Sequence, residues 1–292
     1  MKQRVCVIGG MNFTVISRID SVLQNDSSLF GEIKTRFGGV ARNIALNLSK
    51  YKDLEIDFIT VLSNDELGIL AQRELDSFYV RHEKSLFIEK WKSYYCEIIT
   101  NDGHYGINDM KMIENLSPLH IENIKGYIEN HDILVIDTNI SKKTLEYIAS
   151  NLQITILCDA TSDKKCSRIM NILDRIDTIK MNYEEACKLS SLNPQYPPNI
   201  DKLKLMLQRL PIRNCYVTLG EYGSFFLNNT KYYYCKPNNK ITAKNVLGAG
   251  DIFCAEIIKG ILNKTPVKSI LEEGTKAAEK HLAQYNTKGE KP

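Results

Sequence analysis

No Walker A loop occurs in the 292 residues, and Gly9-Gly10-Met11-Asn12 lacks the glycine spacing of a dinucleotide fingerprint. A P-loop NTPase and a Rossmann-type dehydrogenase are therefore both disfavoured. Neither sign of charge is in excess: 38 basic residues face 35 acidic ones, a net of +3. That balance gives no argument for a nucleic-acid partner. The basic pairs Lys142-Lys143 and Lys164-Lys165 are isolated and read as solvated faces. Long hydrophobic runs are missing too. The run Val5 to Ile8 stops at Gly9-Gly10, too short for a signal-peptide core, and no stretch nears the length of a membrane span. None of the eight cysteines forms a C-x-x-C pair, and the five histidines are scattered, so a zinc site is not expected. Several cysteines sit inside apolar runs, as in Val5-Cys6-Val7-Ile8 and Ile156-Leu157-Cys158. Buried free thiols in a reducing cytosol are the simplest reading, and the expected location is cytoplasmic.

With 43% hydrophobic and 25% charged residues the composition is that of an ordinary globular protein. Short apolar runs alternate with helical patterns. Strands are expected at 5–8, 57–62, 133–137, 154–159, 178–181 and 216–219. Helices are expected at 41–49, 66–76, 121–129, 142–149, 183–189, 201–210, 250–262 and 267–284. The strand runs are continuously apolar, which predicts an α/β fold with a mainly parallel central sheet and helices on both faces. In such a sheet ligands lie beyond the carboxyl ends of the strands. Two regions break the rhythm, about 12–37 and 86–107, and Asn101-Asp102-Gly103 reads as a hairpin turn. They are expected to build a small β lid on a single domain covering 1–292.

Asn245-Val246-Leu247-Gly248-Ala249-Gly250-Asp251 carries the most chemistry. Three small residues precede an acid at a predicted helix start, where backbone N–H groups bind anions and small residues let a phosphate approach. Asp251 has two readings, a helix cap or a base that takes a proton from an attacking hydroxyl. An Asp of ordinary pKa, roughly 4, is charged at neutral pH. The amides of Gly248, Ala249, Gly250 and Asp251 suit phosphate oxygens as charge builds on them. Three further segments follow a predicted strand or open a helix. They are Gly38-Gly39-Val40-Ala41-Arg42-Asn43-Ile44-Ala45, Asn182-Tyr183-Glu184-Glu185 and Thr218-Leu219-Gly220-Glu221-Tyr222-Gly223. Each has a plain structural reading as well. Asn182 and Glu185 fit an N-cap with a capping box. Gly220 and Gly223 fit a hairpin turn. Arg42 fits a structural ion pair, and Asp109 an acid that satisfies its own loop.

Together, in this order, the four segments resemble those of the ribokinase (PfkB) family of sugar and nucleoside kinases. The resemblance implies a ribokinase-like fold that uses ATP with Mg²⁺, and it leaves a monovalent cation such as K⁺ as a further candidate. It implies Asp251 as base, with Gly248, Ala249 and Gly250 as anion hole. It puts Asn182, Thr218, Gly220 and Gly223 on the nucleotide side and Glu185 on the Mg²⁺ shell. Asn12, Thr14, Gly38, Gly39, Arg42, Asn43, Asn108 and Asp109 fall on the acceptor side. Gly-Gly-Val-Ala-Arg-Asn-Ile-Ala, Ile107-Asn108-Asp109-Met110, Asp137-Thr138-Asn139-Ile140-Ser141 and Asn245-Val246 look most like the pseudouridine kinase branch. The implied reaction is phosphorylation of a nucleoside 5′-hydroxyl, with another nucleoside, a simple sugar, or a weakly catalytic nucleoside binder as alternatives. A homodimer through the lid is a further expectation. Two positions depart from the pattern. Thr14 stands where sugar kinases of the family carry an Asp that grips two hydroxyls, and Phe37 replaces a small residue or Pro before the glycine pair. Asn12, Asn43, Asp20 or Asp26 are the candidates to compensate for Thr14.

Overall fold

A computed structural model describes residues 2–22, 28–238 and 248–287. The strands, in chain order, are β1 (Gln3–Ile8), β2 (Asn12–Arg18), β3 (Glu32–Gly38), β4 (Leu54–Ile59), β5 (Val61–Ser63), β6 (Leu86–Ile88) and β7 (Tyr94–Ile99). They continue with β8 (His104–Asp109), β9 (Ile133–Asp137), β10 (Ile156–Asp159), β11 (Thr178–Asn182), β12 (Asn214–Thr218), β13 (Ser224–Asn228) and β14 (Tyr232–Cys235). The helices are α1 (Val40–Leu48), α2 (Glu66–Ser77), α3 (Pro118–Asn123), α4 (Lys125–Glu129), α5 (Lys142–Asn151), α6 (Tyr183–Leu189), α7 (Ile200–Leu207), α8 (Ala249–Leu262) and α9 (Val267–Thr287).

The main sheet has the order β14-β13-β12-β11-β10-β9-β1-β4. From β12 to β4 every pairing is parallel, and β13 and β14 close one edge antiparallel. Strands β9 and β10 are buried along their whole length, as continuous apolar runs require when both faces are covered. Helix α8 packs against both α1 and α9, and the 3₁₀ segment Cys166–Arg175 packs against both α5 and α6. Helix α8 buries Phe253, Cys254, Ala255, Ile257 and Ile258, so most of its circumference faces protein.

The small sheet has the order β3-β2-β7-β8. Its hairpin turns at 100–103, where the Thr100 hydroxyl accepts from the Gly103 N–H at 3.0 Å. Three expectations need correction. The second lid segment begins at Tyr94 and not at 86, because β6 pairs with β5 in a separate ribbon. The expected strand 57–62 divides into β4 and β5, and the expected helix 121–129 divides into α3 and α4 at Ile124. The antiparallel strands β13 and β14 lacked the long β-branched run that marks a strand in sequence. Residues 23–27 of the expected lid, with Asp26, and Asn245, Val246 and Leu247 of the glycine segment lie outside the described residues. Phe37 packs edge-on against Phe13 (ring centroids 5.5 Å apart) and Trp91 (5.7 Å), so its bulk joins the small sheet to the core.

Candidate active site

Asp137, Asp159, Asn182 and Thr218 are the last residues of β9, β10, β11 and β12, four neighbouring parallel strands. Polar side chains thus line up where the strands run out. The start of α8 faces this row. Gly248 is its N-cap in the left-handed conformation (φ 81°), and the first helical bond runs from the Ile252 N–H to the Gly248 carbonyl. The N–H groups of Ala249, Gly250 and Asp251 therefore have no acceptor within the helix. Gly250 lies close against this row: a Cβ there would stand 2.9 Å from Lys180 Nζ, so a larger residue would displace that ammonium.

That lysine is the main residue the sequence reading missed. Lys180 lies inside β11, is buried, and sits 3.0 Å from Asp159 Oδ2, an oxygen with no hydrogen bond among the described residues. Burial opposes the ammonium charge, but Asp159 and then Glu185 outweigh it and hold its pKa above the ordinary value. The available signal was a lone charge in a strand covered on both faces, where an unpaired lysine is almost never tolerated. Lys165 is a second correction. It was read as a solvated charge, yet it is half-buried on the cavity wall and donates to Asn139 Oδ1 at 2.7 Å.

Asp251 is buried, and its Oδ2 accepts from Asn43 Nδ2 at 2.8 Å. Burial, and then Asp159, push its pKa up to about 6, against the pull of Lys180 and Asn43. This corrects the ordinary value expected for it: the acid sits inside the protein, not on an open helix end. Burial likewise raises Glu185 above the usual carboxylate range, with Lys180 opposing.

Two cavities meet at the start of α8. One, of 470 Å³, is lined by Thr218, Gly220, Gly223, Ala249 and Gly250; the other, of 670 Å³, by Asn12, Thr14, Asn43, Asn108, Gly248 and Asp251. Lys180 and Asn182 line both. Gly38, Gly39, Arg42 and Glu185 also line the second. A Cβ on Gly38 would meet Thr14 Oγ1 at 2.7 Å, and one on Gly39 (φ 112°) would meet the Gly10 carbonyl oxygen at 2.4 Å. The glycine pair is thus needed to fit the chain against itself. Gly223 (φ 98°) ends the turn between β12 and β13, so the hairpin reading and the cavity lining both hold there.

The structural readings of the other candidates are realised as follows. Asn182 and Glu185 form a complete capping box: Glu185 Oε2 accepts from the Asn182 N–H at 2.8 Å, and Asn182 Oδ1 from the Glu185 N–H at 2.8 Å. Arg42 pairs with Glu74 through Nε (3.1 Å) and Nη2. Asp109 is not brought to the site. In a strand successive side chains point to opposite faces, and here Asn108 takes the cavity side while Asp109 is exposed. On the cavity side Arg36, Thr14, Tyr95 and Asn108 stand in one row across four strands.

Among the described residues no three acidic, His or Cys side chains cluster tightly enough to cage a metal ion. The donor set fits Mg²⁺ in another way. Mg²⁺ commonly keeps several waters and takes one or two carboxylates together with substrate phosphates. Glu185 and Asp159, with carboxylates held at the cavity junction, suit such a water-mediated role.

A model of the pfkB family carbohydrate kinases matches residues 2–292. Pseudouridine kinase of Escherichia coli (strain K12) is 26% identical over 260 residues, 87% of this chain and 82% of the relative. Guanosine-inosine kinase of Exiguobacterium acetylicum is 21% identical over 96% of this chain and 94% of its own length. Among solved structures, a ribokinase from Arabidopsis thaliana complexed with ribose and ATP superposes with a TM-score of 0.81, at 18% identity, covering 95% of this chain and 92% of that one.

Proposed function

This chain belongs to the pfkB family of carbohydrate kinases, and from that premise we propose that it transfers the γ-phosphate of ATP to the 5′-hydroxyl of a nucleoside, pseudouridine before others. The observation that carries the reading is the junction of two cavities at one helix start. The acid Asp251 lines one cavity, Ala249 and Gly250 line the other, and buried Lys180 lines both. ATP belongs to the cavity with Thr218, Gly220 and Gly223. The acceptor belongs to the cavity with Asn12, Thr14, Gly39 and Asn43.

Phosphoryl transfer passes through a loose transition state, so positioning and charge neutralisation do most of the work. Asp251 takes the proton of the attacking hydroxyl, and its raised pKa, about 6, brings it closer to working pH than an exposed Asp. Asn43 holds Asp251 Oδ2 at 2.8 Å and fixes the direction of the other oxygen. The N–H groups of 249–251 and the Lys180 ammonium face the oxygens on which charge collects. Bound Mg²⁺ would supply further positive charge beside those oxygens, with Glu185 and Asn182 on its side of the junction.

Pseudouridine is preferred on the sequence resemblance and on the 26% relative. The wall made by Arg36, Tyr95 and Asn108 is polar, as a uracil ring requires. Pseudouridine carries a ring N–H that uridine lacks, and a site built to bond it leaves a buried group unpaired with uridine. The test compares kcat/KM for pseudouridine, uridine and ribose by ADP release. Pseudouridine is expected to lead by tenfold or more; a clear preference for ribose would sink the assignment. The small sheet is the lid in this reading. Hydrogen exchange in β2, β3, β7 and β8 should slow when acceptor binds, and protection confined to 218–251 would count against it. The outer face of that sheet exposes Ile33, Tyr105 and Ile107, and a second copy of the chain is the occupant we assign to it. Monomer mass by light scattering at high concentration would remove that assignment.

A further inference from the structure

Among the buried ionisable groups that take no part in the proposed transfer, Asp137 holds the most chain together. It ends β9 and is fully buried. Its Oδ2 accepts from the Gly10 N–H at 3.1 Å, the Ala41 N–H at 3.3 Å and Asn139 Nδ2 at 2.7 Å. Its Oδ1 accepts from the Asn139 N–H at 2.9 Å. These donors come from three separate segments: the turn after β1, the first turn of α1, and the loop after β9. All four are neutral amides, so no cation touches the carboxylate among the hydrogen bonds described.

Each segment continues directly into a wall of the acceptor cavity. The turn after β1 leads into Asn12. The first turn of α1 carries Arg42 and Asn43, and through Asn43 it reaches Asp251. The loop after β9 carries Asn139, whose Oδ1 accepts from Lys165. The space around Asp137 is closed. A Cβ on Gly9 would stand 2.6 Å from Asp137 Cγ and 2.5 Å from the Ala41 Cβ, which accounts for a glycine there. The nucleotide cavity touches none of the three segments.

We propose that Asp137 is a positioning residue that clamps the three walls of the acceptor cavity into one rigid unit and does not touch the substrate. A single carboxylate that accepts from all three segments makes their movements interdependent, and a buried donor put in place of one of its oxygens would face N–H groups and force at least one segment away. The inference rests on the assignment of this cavity to the acceptor.

The test is Asp137→Asn, which keeps the size and turns one acceptor oxygen into an NH₂ group. The acceptor used is whichever nucleoside or sugar the unaltered chain phosphorylates fastest. A wrong acceptor class therefore sinks the proposed function and leaves this inference standing. If the unaltered chain phosphorylates none, dissociation constants for ATP and for the tightest-binding of pseudouridine, uridine and ribose, by calorimetry, replace the two KM values, and absence of binding by all three overturns the proposal as well. The expected result is a rise of tenfold or more in KM for the acceptor, with KM for ATP within twofold of the unaltered chain. Where Asp137→Asn does not accumulate as folded protein, Asp137→Ser, which presents no opposing NH₂, is measured in the same way. An unchanged acceptor KM in a folded variant, or equal rises in both KM values, overturns the proposal. Failure of both variants to fold also overturns it, since Asp137 would then serve the whole fold and not the acceptor cavity.

Discussion

Two buried clusters of charge sit on the main sheet and are resolved in opposite ways. On β4 the Asp57 carboxylate is surrounded by donors: His131 Nε2 at 2.7 Å, Arg81 Nη2 at 2.5 Å and Nε at 3.0 Å, and the Tyr127 hydroxyl. Burial pushes its pKa up, but the bonds from His131, Arg81 and Tyr127 prevail and bring it down to about 2. At the start of α8 the proportion is reversed. Asp159, Glu185 and Asp251 share the buried ammonium of Lys180, and Glu185 and Asp251 are raised above the usual range. The first cluster is complete within the chain and contributes stability. The second is short of positive charge and can accept a proton or a cation.

The largest expected effect comes from removing that acceptor of protons. Asp251→Asn should lower kcat by about 100-fold or more, since a positioned general base contributes roughly that much. Binding of a non-hydrolysable ATP analogue should be retained. The pH profile gives an independent check. With a folded pKa of about 6, Asp251 is protonated and idle below that value. The unaltered chain should therefore lose kcat/KM as pH falls through about 6, and residual activity of the variant should lack that limb. Near-normal kcat in the purified variant would remove Asp251 from the mechanism.

Stability against pH separates the two clusters next. Asp57 is depressed from 3.8 to about 2 in the folded chain. Its contribution is fully present above the unfolded value and is lost as pH falls towards 2. That amounts to about 2 kcal/mol. Asp251 works with the opposite sign: raised from 3.8 to about 6, it favours the protonated folded chain, so stability grows as pH falls from about 6 towards 4. Urea midpoints should rise as pH falls from 7 towards 4 and then fall towards pH 2.5. Asp57→Asn should flatten the fall, and Asp251→Asn the rise. An equal acid fall in the Asp57 variant would show that the complete cluster does not carry it.

The difference between the clusters also marks what could be read from sequence. Asp251, Asn182 and Thr218 were legible because they follow apolar strand runs or open helices, and strand ends are where such sheets place ligands. Lys180 was not, because it lies within a run recognised by its apolar neighbours; Asp159 ends its strand, but none of the four segments includes it. Only the pairing of β10 with β11, Asp159 against Lys180, brings opposite charges together. Asp109 was misassigned for a simpler reason. Asn108 and Asp109 are adjacent in the sequence, and only the register of β8 decides which one faces the cavity. Lys165 is separated from Asn139 by α5, β10 and the loops around them, so no local pattern could reveal their bond.

The smallest predicted effect lies on the small-sheet wall of the cavity proposed for the acceptor and asks whether that wall, too, is short of charge. Thr14 is buried, and its hydroxyl donates to Asn12 Oδ1 at 2.7 Å. It stands where the family resemblance places a carboxylate. A lost charge-assisted bond to a sugar hydroxyl is worth roughly 1.5–3 kcal/mol, or about one to two decades in affinity. Thr14→Asp would set a carboxylate beside Arg36, its partner on β3, and opposite charges across a strand pair are mildly favourable. The Asn12 amide can turn to offer its NH₂ group in place of the oxygen, leaving only a weak 3.5 Å contact with Met110 Sδ. The variant should therefore fold and raise kcat/KM for the nucleoside by about tenfold, the lower end of that range. Its melting temperature reports the fold and ADP release the activity. A folded variant with lower activity would show that Thr14 acts as the hydrogen-bond partner of Asn12 and not as a shortened sugar ligand. The acceptor wall would then be complete as it stands, and the shortage of charge would be confined to the start of α8.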